Sequence, residues 1–346
     1  MVKIESFGKT KSGKKVFLYT LNNGKAEVSL TNIGAAVVSL KVPDKNSCLK
    51  DVVLGCDCAL RYENGDKYLG ATVGRCSNRI KNGIIFLNGK SFQLSQNEGD
   101  NQLHGGFEGF NKKLWDAEII ENGIKFTYIS PDGEEGYPSM LKTEVSYILT
   151  GTTLEIHYKA ISDGDTVCAL TNHSYFNLDG VGNGDILSQY VQIFAEQFTT
   201  NDEHSLPTGE ILSVKDTPMD FLTPKQLGAD INSDYEQIKF AKGFDNNWVI
   251  KNYDGKSIIT AAKAFSKHSG ITLEVLTNLP GIQLYSGNFL DGAGIGKKGA
   301  EIKNRSAFCL ECQYFPNAFA NENFPQPVLK AGEVYDKTII YKFGII

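Results

Sequence analysis

Three stretches of this 346-residue chain hold side chains whose types and settings could do proton-transfer chemistry. The first is Thr171-Asn172-His173-Ser174-Tyr175-Phe176-Asn177-Leu178, which follows the apolar run Val167-Cys168-Ala169-Leu170. A histidine where a buried strand ends is held by the scaffold and can still face a cleft, which suits a general acid or base. The competing reading is a core histidine hydrogen-bonded beside Tyr175 and Phe176, and the flanking Asn172 and Asn177 amides tilt the balance towards a polar pocket. The second stretch is Phe308-Cys309-Leu310-Glu311-Cys312-Gln313. A carboxylate within an apolar run needs a partner or a purpose. A buried acid beside a basic group is an active-site arrangement, although structural ion pairs share it. The third is Asn101-Gln102-Leu103-His104-Gly105-Gly106, where two glycines let the backbone turn sharply and present the His104 ring.

Other polar residues stand oddly among apolar neighbours. In Gly74-Arg75-Cys76-Ser77-Asn78-Arg79-Ile80 the two arginines bracket small residues, so Arg79 could fork onto a carboxylate or a sugar hydroxyl, with a surface hairpin arginine as the alternative. Asp245 lies between aromatic residues in Gly243-Phe244-Asp245-Asn246-Asn247-Trp248, where most aspartates are turn formers. Gln283 interrupts Ile282-Gln283-Leu284-Tyr285.

Cofactor signals fail. Cys56-Asp57-Cys58 and Cys309-Leu310-Glu311-Cys312 invite a metal or redox reading, but the second pair lies in strand-like sequence with no βαβ pattern around it. None of His104, His157, His173, His204 and His268 has zinc-type spacing to either pair. Gly294-Ile295-Gly296-Lys297-Lys298-Gly299 fits the dinucleotide fingerprint by letter, yet no amphipathic helix follows to receive a pyrophosphate. The expectation is no metal and no organic cofactor. A net charge of −5 argues against nucleic acid or an anionic membrane as partner. No run approaches the ~18 apolar residues of a membrane span. An odd set of seven cysteines behind a start without a signal-peptide core points to reduced thiols and a cytoplasmic location.

The elements that must carry these residues read as strand after strand. Short β-branched runs occur at 16–20, 26–30 and 36–40. Hairpins are expected at 84–94 around Asn88-Gly89, at 117–128 around Asn122-Gly123, and at 144–158 around Thr150-Gly151-Thr152, with His157 facing solvent. Further strands are expected at 191–194, 257–260, 271–276, 282–285, 307–310 and 338–341. No long window carries a helical period, and residues 200–225 and 290–304 read as long irregular loops. The chain is therefore expected to be all-β, one domain over residues 1–346, built as a sandwich of long antiparallel sheets with few short helices.

Several motifs in one order then resemble the aldose 1-epimerase (galactose mutarotase) family. They are Leu69-Gly70-Ala71 with Gly74-Arg75 and Asn78-Arg79-Ile80, Leu103-His104-Gly105-Gly106, Ser130-Pro131-Asp132-Gly133-Glu134-Glu135-Gly136-Tyr137-Pro138, the His173 stretch, Gly243-Phe244-Asp245, Gly281-Ile282-Gln283 with Tyr285-Ser286-Gly287-Asn288, and Cys309-Leu310-Glu311. The resemblance runs from about Gly70 to the C-terminus. It implies a β-supersandwich with an open sugar cleft and a hexose, such as galactose or glucose, as small-molecule partner. By motif, Glu311 matches the general base and His173 the general acid. His104 would assist near the ring oxygen or C1, and Asn78, Arg79, Asp245 and Gln283 would hold the sugar. After Glu311 the family pattern has Trp before Pro and Asp after it, whereas this chain has Phe315-Pro316-Asn317, which affects the cleft rim. The expected charge state is a carboxylate with an imidazolium at neutral pH. A glycoside hydrolase using Asp245 and Glu311 and a non-catalytic hexose-binding module are the alternatives. The oligomeric state, monomer or homodimer, is left open.

Overall fold

Alternation of large apolar and polar residues makes each strand bury one face. Leu141–Thr150 and Thr153–Ser162 show it cleanly, with buried and half-buried positions taking turns along both. The computed structural model describes residues 2–65 and 67–346; Met1 and Asp66 lie outside it. Among the described residues the chain is mostly strand, with two short α-helices, Ala59–Asn64 and Glu236–Ala241. No helix among the described residues is long and apolar enough to cross a membrane.

Three large antiparallel sheets form the frame. A five-stranded meander runs from Val2–Lys9 to Leu49–Asp51. A nine-stranded sheet starts with Asp116–Ile120, Gly123–Ser130, Leu141–Thr150 and Thr153–Ser162. It then takes in the C-terminal strand Val334–Ile345 before returning through Ile271–Thr277 and Ile259–Phe265. A six-stranded sheet is ordered Tyr175–Phe176, Phe308–Gln313, Gly281–Tyr285, Asp245–Val249, Gln197–Asn201 and Pro207–Ser213. One apolar cluster takes Val28 and Leu30 from the first sheet, Tyr147, Ile156 and Tyr341 from the second, and Trp248, Leu284 and Leu310 from the third. The sheets therefore pack face to face as a sandwich. The Phe308–Gln313 strand is buried along its whole length. Phe308, Leu310 and Cys312 enter this core, and period 2 turns Cys309, Glu311 and Gln313 the other way.

The expected hairpins form, with one shift. Asn88 and Gly89 both take positive φ between paired strands, as a primed turn requires. In the second hairpin Ile120 pairs with Gly123, so the turn is Glu121-Asn122 rather than Asn122-Gly123. Gly123 answers to packing instead, since a Cβ there would lie 2.3 Å from the Tyr147 carbonyl. The stretch 200–225 is less irregular than its sequence implies: Pro207–Ser213 pairs along Gln197–Asn201. The strand expected at 257 begins at Ile259 and runs to Phe265. The glycine-rich decoy folds as a 3-10 turn, Lys297–Gly299, whose buried Lys297 pairs with Asp51 at 2.7 Å.

Arg75 is buried, and its guanidinium is spent on the frame. Nε donates to Ser130 Oγ at 2.9 Å, and the two terminal nitrogens donate to the carbonyls of Ser130, Pro131, Pro138 and Ser139. It ties the loop before Asn78 to the turn after Ser130. Lysine cannot reproduce that planar fork. Arg75→Lys is expected to destabilise the fold by about 2–3 kcal/mol, read as a lower urea midpoint at unchanged slope; a midpoint equal to wild type would show that the fork carries no stability.

Candidate active site

The six-stranded sheet presents its outward row of side chains to a cleft of about 470 Å³. Register explains which residues meet there. Gln283 stands opposite Glu311 and Asn247, and Tyr285 stands opposite Cys309 and Asp245. Tyr175 pairs with Cys309 on the other side. Residues sequence-distant by more than a hundred positions thus share one floor.

His173 leaves the short Thr171–Asn172 strand, which pairs with Thr72–Val73. Its backbone is clamped from both sides: His173 N–H donates to Ala71 O, and Gly70 N–H donates to His173 O, each at 2.9 Å. The imidazole lies between Tyr175, stacked at 4.8 Å, and Tyr68, stacked at 5.9 Å. Its Nε2 faces Glu311 Oε2 at 3.7 Å. That oxygen is buried and has no hydrogen-bond partner among the described residues. Burial pushes the Glu311 carboxyl well above its ordinary range, with Asp245 adding to the effect. Burial also pulls His173 down to about 3. Burial opposes charge on both groups, whereas the sequence alone suggests an imidazolium–carboxylate pair. The proton count is the same in either description. One proton resides on Glu311 or on His173 Nε2, and desolvation favours the carboxyl.

His104 is fixed by a reciprocal pair with Asn78. His104 N–H donates to Asn78 O at 3.0 Å, and Asn78 N–H donates to His104 Nδ1 at 3.2 Å. A ring nitrogen that accepts carries no hydrogen, so neutral His104 must hold its proton on Nε2. Burial and the neighbouring His173 keep it neutral. His104 therefore offers the cleft a donor. Its φ of 51° swings the chain back, and Gly105 follows at φ 87°, where a Cβ would sit 1.9 Å from the Gly74 carbonyl. The glycine after His104 is a requirement of close approach.

Among the described residues, His104, His173 and Glu311 bring ligand-type atoms within 4.8 Å of one another. The Asn78 amide leaves His104 Nε2 protonated and so without the lone pair a metal needs. The donor set fits proton transfer and hydrogen bonding better than coordination.

Asn78, Arg79 and Asp245 line the same cleft. Arg79 forks onto Glu98, with contacts of 2.7 and 2.8 Å, so the carboxylate anticipated for it is a protein side chain. Gln283 sits one layer back: it donates to Asp245 Oδ1 at 2.7 Å and accepts from Gln313 at 3.0 Å. Sequence reasoning missed Glu98, Tyr68 and the rim formed by Glu203, His204, Phe240 and Phe289. Tyr68 takes a positive φ of 54° that nothing in its residue type announces.

The sequence profile described as aldose 1-epimerase matches residues 18–342. The chain belongs to the aldose 1-epimerase family. Galactose mutarotase of Bos taurus is 42% identical over 327 residues, 94% of each chain. Aldose 1-epimerase of Escherichia coli strain K12 is 34% identical over 340 residues, 96% of each. The crystal structure of an aldose epimerase homologue from C. elegans superposes with a TM-score of 0.87 at 33% identity, covering 94% of this chain and 98% of that one. The aldose 1-epimerase match begins well before Gly70, so it takes in most of the N-terminal meander whose sequence was least distinctive.

Glu311 carries a stability cost with a definite sign. Its folded-state pKa is raised above the unfolded 4.5, so its contribution is present below that value and is lost as pH rises. Glu311→Gln removes this term. Calorimetry should give a Tm a few degrees above wild type at pH 7, with the gain vanishing below about pH 4.5; an equal gain at both pH values would mean that ionisation is not its source.

Proposed function

We propose that this chain is an aldose 1-epimerase interconverting the α and β anomers of free hexoses such as D-galactose and D-glucose. The observation that carries the reading is the buried Glu311 carboxyl facing His173 Nε2 at 3.7 Å in the floor of an open cleft. Ring opening of a hemiacetal needs a base at the C1 hydroxyl and an acid at the ring oxygen, and shifting that one proton from Glu311 to Nε2 creates both at once. Glu311 then takes the proton from O1. The O1 electron pair forms the C1=O bond, the C1–O5 bond breaks, and O5 receives the proton from His173 Nε2. Rotation about C1–C2 turns the other face of the aldehyde towards O5. On closure O5 returns its proton to His173 while the carbonyl oxygen takes one from Glu311. His104 Nε2–H stabilises charge near C1 and the ring oxygen. Asn78, Arg79 and Asp245 hold hydroxyls, and Gln283 acts by holding Asp245.

The hydrolase alternative finds little support. It requires two carboxylates flanking the scissile bond, whereas Asp245 is engaged by Gln283 and Glu311 faces an imidazole. A single apolar core spanning the three sheets supports treating the chain as one functional unit. Seven free thiols support a reducing, cytoplasmic setting.

Polarimetry on freshly dissolved α-D-galactose and α-D-glucose tests the proposal. Wild type should speed equilibration, and both Glu311→Gln and His173→Ala should lose at least about a hundredfold in kcat. Unchanged rates with wild type, or release of a chromogenic aglycone from a glycoside, would overturn it. Because one proton is shared, activity requires neither its loss nor the gain of a second. A raised Glu311 and a lowered His173 move those two events apart, so the acid limb of kcat/KM should lie well below the ordinary imidazole range and the alkaline limb well above the ordinary carboxylate range. A limb centred near 6.5 would instead mark a His173 titrating as an exposed imidazole.

A further inference from the structure

One strand reaches both nitrogens of the His173 ring. Glu311 meets Nε2, and two residues earlier on the same face Cys309 places Sγ 3.5 Å from Nδ1. The spacing follows from period 2 along Phe308–Gln313, and the pairing of Cys309 with Tyr175, whose ring stacks on His173, sets the sulfur at that height. In the roles proposed above Nε2 receives the Glu311 proton, so the neutral ring carries its own hydrogen on Nδ1, and Cys309 Sγ is the acceptor placed there. Cys309 is fully buried among Tyr175 and Tyr285 and its thiol is held neutral, so it takes no part as a nucleophile.

We propose that Cys309 is a positioning residue for His173: by accepting Nδ1–H it fixes the tautomer in which Nε2 is the only nitrogen that exchanges a proton with Glu311 and the substrate. The inference rests on the acid–base roles proposed above. Neutral imidazole freed from this constraint divides between tautomers, and the one with hydrogen on Nε2 cannot receive the Glu311 proton. The loss then falls on turnover, since the contacts that hold the sugar are untouched.

The test compares Cys309→Ala with Cys309→Ser. Alanine removes the γ atom, whereas serine keeps an acceptor at nearly the same place. Cys309→Ala is expected to lower kcat about tenfold with KM within about twofold of wild type, and Cys309→Ser to recover most of the loss. Nitrogen-15 NMR of histidine-labelled protein, with His173 assigned by the signal missing in His173→Ala, should show hydrogen on Nδ1 in wild type and a tautomer mixture in Cys309→Ala. Hydrogen on Nε2 in wild type overturns the proposal, and that reading holds even where Cys309→Ala does not fold. Equal losses in both variants, with raised KM and lowered Tm, would also overturn it, because that pattern is packing alone. Failure of the underlying function looks different: wild type would not speed mutarotation, whatever the His173 tautomer.

Discussion

A carboxyl group set in a strand with no exposed residue is largely stripped of water even at the floor of a cleft, and the rest of the site is arranged around that constraint. Glu311 faces a buried imidazole at 3.7 Å, with aromatic rings stacked on both faces of that imidazole. Tyr175 and Tyr285 flank one edge of the pair, and Tyr68 and His104 flank the other. In this setting neither a bare carboxylate nor a bare imidazolium is favoured, so burial keeps the proton on the carboxyl. Holding them at that separation falls to strand pairing, through Gly281–Tyr285 beside Glu311 and Thr72–Val73 beside the strand that leads to His173.

The arginines of Gly74–Ile80 show how one short motif divides between frame and site. Arg75 turns inward and is saturated by carbonyls. Arg79, four residues on, follows a backbone reversed at Asn78, φ 60°, and forks onto Glu98 at the cleft. Only the second has an electrostatic role towards Asp245, whose carboxyl is raised by burial and drawn back down by Arg79. The two guanidiniums are identical in chemistry and differ in what their surroundings leave unsatisfied.

Much of this was legible in the sequence because it rests on period and exception. Alternating runs mark strands, and the polar residues that break an apolar run, Glu311 and His173 above all, mark places where the fold must answer a cost. What escaped depends on direction and partner. Gln283 breaks its strand as plainly as Glu311 does, yet it serves Asp245 from behind, because neighbouring-strand register decides what lies in front of it. Pro207–Ser213 escaped since Pro207, Gly209 and Glu210 are poor strand formers whose pairing is imposed by Gln197–Asn201. Charge state escaped because it is a property of burial depth, which residue type does not encode.

The strand Phe308–Gln313 puts core packing and chemistry on alternate residues. Inserting or deleting one residue within it would send Leu310 into the cleft and Glu311 into the apolar core, exchanging both functions in a single step. Length variation is thus barred from the floor and left to the rim, where Glu203, His204 and the exposed Phe289 stand on loops. Over evolutionary time such a molecule can vary what surrounds the anomeric centre while the proton-transfer apparatus stays fixed in frame.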